Sequence, residues 1–177
     1  LQIYLQRRAR KVQISNPYLP ADCDYVILYG SEMGSTLAFA QALHKALIEQ
    51  KMKVCLLAMD ALEAFMSMKY LMVITSTYGV GEAPANAKRF IQKLAQLKAD
   101  LNPFSYAVVG FGSTNYPDFC QFAVDVDHSL AELTTSNSLT DLVKVNKGSV
   151  DEYHQWIKEL EQSLGIEINV EVEEVKR

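Results

Sequence analysis

Tyr25–Leu43 reads YVILYGSEMGSTLAFAQAL, and its three parts decide the fold. Tyr25–Tyr29 is a short, apolar, β-rich run, the composition of a buried strand. Gly30-Ser31 and Gly34-Ser35-Thr36 break that run at once. Behind the break, Leu37, Ala40, Leu43, Leu47 and Ile48 recur at helical spacing up to Lys51. The stretch is therefore a strand, a turn of small residues and an amphipathic helix.

The same alternation continues along the chain. Lys53–Met59 reads as a second strand and Ala61–Met66 as a short helix. Leu71–Thr75 is a third strand, running into Tyr78-Gly79-Val80-Gly81. Pro84 is placed to open a helix, where its missing N–H would be unpaired anyway; Ala87, Phe90, Ile91, Leu94 and Leu97 give that helix a buried face. Tyr106–Val109 is a fourth strand ending at Gly110-Phe111-Gly112, a helix follows from Tyr116 to Leu133, and a weak fifth strand spans Leu139–Val145. The final helix carries Val150, Tyr153, Ile157, Leu160 and Leu164 on one face. Near-continuous apolar strands separated by amphipathic helices mean a parallel sheet covered on both sides. The fold class is α/β: a doubly wound parallel sheet of five strands, with five helices on its two faces. There is no internal repeat and no low-complexity tract.

The 177 residues suit one domain, and 49% hydrophobic against 21% charged residues provides for a full core. A net charge of −4 argues against nucleic acid as a partner. Cys23, Cys55 and Cys120 are odd in number and far apart, which excludes a disulfide framework and a CxxC metal knuckle and suits a reducing compartment. No apolar run approaches the roughly 20 residues that span a bilayer.

The ends differ from the middle. Residues 1–11, LQIYLQRRARK, carry +4, so the rest of the chain carries −8. The first residue is not Met, and apolar-then-basic is the order found where a membrane helix leaves the bilayer on its cytoplasmic side. A frayed start with solvated arginines accounts for the same residues. Asn16-Pro17-Tyr18-Leu19-Pro20 is a non-helical connector, and from Ile166 the chain alternates apolar and acidic residues like an extended tail. The expected organisation is a basic linker or juxtamembrane segment over 1–20, a domain over 21–165, and an extended linker over 166–177.

In an open doubly wound sheet, ligands sit beyond the carboxyl ends of the strands where the strand order reverses. Three loops fall at such ends. Gly30-Ser31-Glu32-Met33-Gly34-Ser35-Thr36 offers backbone N–H groups, hydroxyls and a helix N-terminus to a phosphate. It lacks the lysine of a nucleotidase P-loop, and Pro84 occupies the third glycine position of a dinucleotide pattern begun at Gly79. An empty Ser/Gly turn would look much the same. Thr75-Ser76-Thr77-Tyr78-Gly79-Val80-Gly81-Glu82 and Gly110-Phe111-Gly112-Ser113-Thr114-Asn115-Tyr116-Pro117-Asp118-Phe119 each set an aromatic among glycines and hydroxyls. Glycines let backbone approach a flat ligand, and an aromatic offers a face for stacking.

YVILYGSEMGSTLAFAQAL, VITSTYGVGEAPANAKRF and YAVVGFGSTNYPDFCQFAVDVDHSLAEL closely resemble the FMN-binding domain of the diflavin reductases: the NADPH-dependent cytochrome reductases, the reductase half of nitric oxide synthases, and the sulfite reductase flavoprotein. The resemblance spans about residues 24–164, with the three motifs in the family's order. It implies a flavodoxin-like sheet of order 2-1-3-4-5 and FMN as cofactor. Ser31, Glu32, Met33, Gly34, Ser35 and Thr36 match the phosphate loop, with Ser31, Ser35 and Thr36 as hydroxyl donors. Tyr78 and Tyr116 match the aromatics that stack on the flavin ring. The backbone of Gly79 matches the group that hydrogen-bonds flavin N5, within a second loop that also contributes Ser76, Thr77 and Gly81. Phe111, Gly112, Ser113, Thr114, Asn115, Phe119 and Cys120 match the loop around the ring's polar edge and the ribityl chain. The family's acids in the second loop and before the last helix are replaced here by Val80, Ala83 and Ala85, then by Asn146-Lys147. Fewer acids mean weaker steering toward a basic partner.

Other reactive residues have plain readings. Cys120 is a packing residue beside the third loop. His44, His128 and His154 lie on separate helices without metal spacing, at surface or boundary positions. Asp125, Asp127 and Glu132 form a solvated helix face, and Met66, Met68 and Met72 fill the core.

The expected function is an FMN electron-transfer domain of a larger NADPH-dependent reductase. An FAD/NADPH module in the same parent chain would feed it, and an unknown acceptor would take the electrons. It is not expected to turn over NADPH alone. Its place would be cytoplasmic, with the basic amino end allowing a membrane region upstream. The alternative is a stand-alone flavodoxin-like quinone reductase. A signalling receiver on the same fold would need acids at the first strand's end, where Tyr29-Gly30-Ser31 stands.

Overall fold

The side chains of β1 (Tyr25–Gly30) alternate between two cores. Val26 and Leu28 enter one, together with Cys55, Leu71, Val73, Tyr106 and Val108. Tyr25 and Ile27 enter the other, with Leu56, Met72, Ile74, Ala107 and Val109. Strands buried on both faces need apolar side chains at every position, which is why these runs are continuous rather than alternating. The computed structural model describes residues 14–63 and 67–172. β2 (Val54–Ala58), β3 (Tyr70–Ser76), β4 (Ser105–Gly112) and β5 (Val143–Asn146) join β1 in one parallel sheet of order β2-β1-β3-β4-β5. Helices α2 (Phe90–Leu97) and α3 (Gln121–Thr134) cover the first core. Helices α1 (Leu37–Glu49) and α4 (Val150–Leu164) cover the second. This is the expected flavodoxin-like sheet.

Two glycines set how closely the layers approach. A Cβ on Gly30 would collide with the Thr75 hydroxyl, and one on Gly110 would lie 2.5 Å from the Ala123 Cβ of α3. At the outer edge, the Asn16 carboxamide occupies both backbone groups of Leu56, accepting from its N–H at 2.8 Å and donating to its carbonyl at 3.0 Å. The connector thereby closes the free edge of β2.

Among the described residues there are four α-helices rather than five. Met59–Ala61 is a single 3-10 turn from which Leu62 leaves extended, so the helix expected over Ala61–Met66 does not begin at Ala61; residues 64–66 lie outside the described residues. Pro84 does not open α2, which starts at Phe90. The intervening residues are used in tertiary bonds: the Asp60 N–H donates to the Asn86 carbonyl at 3.0 Å, and the Arg89 N–H donates to the Asp60 carboxylate at 3.0 Å. α3 starts at Gln121 rather than near Tyr116, because Cys120 takes a left-handed φ of 56° as the third loop turns into the helix. His44 is buried and its Nε2 has no partner, unlike the boundary position expected of it. Burial holds its pKa below the ordinary histidine value, the Val54 backbone partly opposing.

The tail after α4 forms neither helix nor strand through Val172, and it packs against the domain. Ile168 is 2% exposed, with Ile166, Val170 and Val172 against the same core. The Ile168 N–H donates to Glu161 of α4 at 3.1 Å. Residues 1–13 and 173–177 lie outside the described residues, and with them the basic amino end.

Candidate functional site

β1, β3 and β4 are neighbours, with Gly30 opposite Thr75 and Thr75 opposite Gly110. Their carboxyl ends therefore release three loops about 5 Å apart, at the point where the strand order reverses.

The first loop is held from inside. The Gly34 N–H donates to Ser31 Oγ at 2.7 Å, and the Thr36 hydroxyl, buried, donates to the Gly30 carbonyl at 2.8 Å. The Ser31 N–H donates to Asn86 Oδ1 at 2.8 Å. Gly34 has φ +85°, and a Cβ there would meet nothing within 4 Å, so glycine is required for its backbone angle alone. Among the described hydrogen bonds, none is donated by the N–H of Glu32, Met33, Ser35 or Thr36. Unpaired N–H groups at the start of α1, beside the Ser31 and Ser35 hydroxyls, are a donor set suited to a phosphate.

The second and third loops form the walls of a cleft of ≈ 400 Å³, lined by Thr77, Tyr78, Gly79, Gly112, Ser113, Tyr116, Asp118, Phe119 and Cys120. That volume lies within the range of roughly 300–1,000 Å³ of small-molecule sites. Tyr78 is 49% exposed and Tyr116 65% exposed, so each wall presents an aromatic side chain about half or more open to solvent. The second loop is closed by paired backbone bonds of 2.8 Å between Tyr78 and Glu82, with Gly79 and Gly81 at positive φ. A Cβ on Gly81 would lie 3.3 Å from Gln121, so the loop also sits close on α3.

The third loop is fixed at several points. The Asn115 N–H donates to Ser113 Oγ at 3.2 Å, and the Lys147 N–H donates to the Gly112 carbonyl at 2.8 Å. The Thr114 N–H donates to Asn146 Oδ1 at 3.0 Å. A larger cavity of ≈ 510 Å³ opens at the other edge of the sheet, by Ser138, Thr140 and Gln162. It holds no aromatic face and no glycine turn, so size alone does not pick the site.

Not every residue expected at the site points into the cleft. Phe111 is buried, its ring centroid 4.6 Å from that of Phe39, so it serves the core, while its carbonyl accepts the Thr77 N–H at 3.2 Å. The Thr77 hydroxyl accepts the Phe122 N–H at 3.1 Å, supplying from the second loop the cap that Cys120 does not give α3. Ser76 donates to the Gly30 carbonyl at 3.3 Å and ties β3 to the first loop. Burial pushes the Cys120 thiol up to about 11, so it is a neutral wall of the cleft, consistent with a packing role.

Sequence reasoning missed Asp118, which lines the cleft, and Asn86, which braces the first loop. Asn146, which the sequence shows only in place of a family acid, anchors Thr114. The Pro117-Asp118 turn and the polar Asn between Ala85 and Ala87 are the only local signals for the first two. The contacts that explain them are separated by tens of residues.

The sequence profile of the flavodoxin family matches residues 27–163. Over 112 residues, 62% of this chain, it is 39% identical to the inducible nitric oxide synthase of Canis lupus familiaris, of which those residues are 10%. The chain thus spans only about a tenth of the length of that relative. It is 31% identical to the Protein MioC homolog of Haemophilus influenzae over 133 residues, 75% of this chain and 90% of that protein. A Streptococcus pneumoniae flavodoxin superposes with TM-score 0.66 at 26% identity, covering 80% of this chain and 97% of that one. Sheet order, the cleft between the second and third loops, and the profile agree, and the chain belongs to the flavodoxin family of FMN-binding electron-transfer proteins.

Proposed function

We propose that this domain is the FMN-carrying part of a larger NADPH-dependent flavoprotein reductase. Electrons arrive from an FAD module of the same parent chain and leave to a separate acceptor. The observation that carries the FMN site is the pair of partly exposed tyrosines on two walls of one cleft, beside a loop with unpaired N–H groups. The residues fit the cofactor: Tyr78 and Tyr116 are partly exposed on the cleft walls, Ser31, Ser35 and the first-loop N–H groups suit a dianion, and Gly34 turns the loop at φ +85°.

Bound FMN would supply one- and two-electron transfer, and the chain's task is to hold it and set its potentials. Tyr78 and Tyr116 would orient the ring and limit water at its faces. Backbone around Gly79, together with Ser113 and Thr114, would address its polar edge. Met33 of the first loop and Val80 of the second are 90% and 77% exposed, apolar surface that a partner could cover. Among the described residues Asp118 is the one acid lining the cleft, and Lys144 lies 6.0 Å from the Phe119 ring on its wall. With Val80, Ala83 and Ala85 in the second loop, docking should depend little on electrostatic steering.

The parent reductase is supported by the nitric oxide synthase relative, a much longer chain. The basic run Arg7–Lys11 supports the finer reading of a domain on the cytoplasmic side of an upstream membrane segment. Among the described residues no helix is long and apolar enough to cross a membrane. The test is NADPH oxidation. The isolated domain should oxidise NADPH negligibly with FMN bound, and accept electrons rapidly once an FAD/NADPH module is added or fused.

The 90% length match to the MioC homolog favours a second reading, a stand-alone flavoprotein. Rapid NADPH-dependent quinone reduction by the isolated domain would establish that reading and sink the first.

A further inference from the structure

Residues 85 and 86 grip the first loop at its base and at its crown. The Asn86 carboxamide is used at both ends, with Oδ1 accepting the Ser31 N–H at 2.8 Å and Nδ2 donating to the Tyr29 carbonyl at 3.3 Å. One residue earlier, the Ala85 N–H donates to the Glu32 carboxylate at 2.7 Å. The Asn86 carbonyl accepts the Asp60 N–H at 3.0 Å, which ties the same segment to the turn after β2. A residue that merely shaped its own turn would bond within a few positions of itself. Asn86 spends its whole side chain on residues 55 and 57 positions away.

The placement has a chemical consequence. The Ser31 N–H is committed to Asn86 and the Gly34 N–H to Ser31 Oγ, so neither is free for an anion. The N–H groups left unpaired belong to Glu32, Met33, Ser35 and Thr36. Asn86 thus decides which donors the loop offers, by holding Ser31 where its Oγ can turn the chain at Gly34. The segment after the second loop, whose Tyr78 flanks the cleft, is also what shapes the phosphate loop.

We propose that Asn86 is a positioning residue for the phosphate loop, and that the domain's preference for FMN over riboflavin depends on it. This rests on the proposed FMN site. Removing the carboxamide leaves the Ser31 N–H without its acceptor in a buried place and takes a donor from the Tyr29 carbonyl, and the loop can relax only by moving its remaining donors. The flavin ring is held by other residues, so a ligand without phosphate should not register the change.

The test is fluorescence titration of the full chain, wild type and Asn86→Ala, with FMN and with riboflavin. Asn86→Ala should weaken FMN roughly 10- to 100-fold and leave riboflavin within about 3-fold of wild type. Asn86→Asp is the second variant, since its carboxylate still accepts the Ser31 N–H and so preserves the fold. It should lose FMN selectivity at neutral pH and regain part of it relative to wild type at acidic pH, where the protonated acid can again donate to Tyr29. Parallel loss of both ligands, or an unchanged FMN-to-riboflavin ratio in both variants, overturns the proposal while leaving the FMN site intact. Failure of the wild type to bind FMN would instead overturn the reading beneath it.

Discussion

Gly34 and Gly165 give a paired test of what the first loop is for. Both hold a positive φ, +85° and +67°, and at both a Cβ would meet nothing within 4 Å. Alanine at either position should therefore cost only the backbone penalty of a left-handed residue, about 1–2 kcal/mol. At this chain length each kcal/mol lowers the melting temperature by about 2–4 °C, so each variant should melt roughly 2–8 °C lower. The functional effects should differ. Gly165 caps the end of α4, at the end of the strands away from the cleft. Gly34 sits among the unpaired N–H groups, and relaxing its strain moves those of Ser35 and Thr36. One lost charge-assisted hydrogen bond to phosphate is worth about 1.5–3 kcal/mol, or roughly 10- to 100-fold in FMN affinity. Differential scanning fluorimetry and FMN fluorescence titration read the two effects separately. Gly34→Ala with unchanged FMN affinity, or Gly165→Ala with an equal loss, would refute the reasoning.

Three further predictions concern the cleft wall, the sheet and the tail. Cys120 should resist alkylation in the native protein at pH 8. Burial pushes its folded pKa up to about 11, above the ordinary thiol value of 9.0, so the unfolded chain loses this proton first. The thiol should therefore draw stability down as pH rises from about 9 to about 11, and a Cys120→Ala variant should show a smaller decline in urea melts over that window. Gly110→Ala drives a Cβ to 2.5 Å from Ala123, between a strand and a helix that cannot easily separate; thermal unfolding should show a loss of about 1–3 kcal/mol. Ile168→Asp places a charge where only 2% of the residue is exposed. It should release the tail to limited proteolysis within 167–172 and leave FMN affinity unchanged.

The sheet was legible because its signal is local and repeated. Val26, Ile27 and Leu28, like Leu71–Ile74, are apolar at every position, and only a doubly covered strand asks for that. Tyr78, Gly79, Ser113 and Tyr116 were legible for a related reason, since aromatic and glycine residues at a strand's end have little to do in a core. Element boundaries at the site were less so. Pro84 suits a helix start by its own chemistry, yet Asn86 and Arg89 are held by Ser31 and Asp60, and that delays the helix to Phe90. Tyr116–Cys120 has helical neighbours, but the chain must round the cleft first and turns at Cys120. The roles of Asn86, Asn146 and Thr77 consist of contacts across 55, 32 and 45 positions, which no periodicity encodes. The tail's alternation of apolar and acidic residues did not say that Ile168, Val170 and Val172 pack against the core.

The most direct measurement is an absorption and fluorescence titration of the purified, folded chain with FMN, followed by stepwise anaerobic reduction. The account predicts one FMN per chain, with its fluorescence quenched as Tyr78 and Tyr116 stack on the ring, and reduction in two resolvable one-electron steps. Folded protein that leaves FMN free at excess cofactor would contradict it.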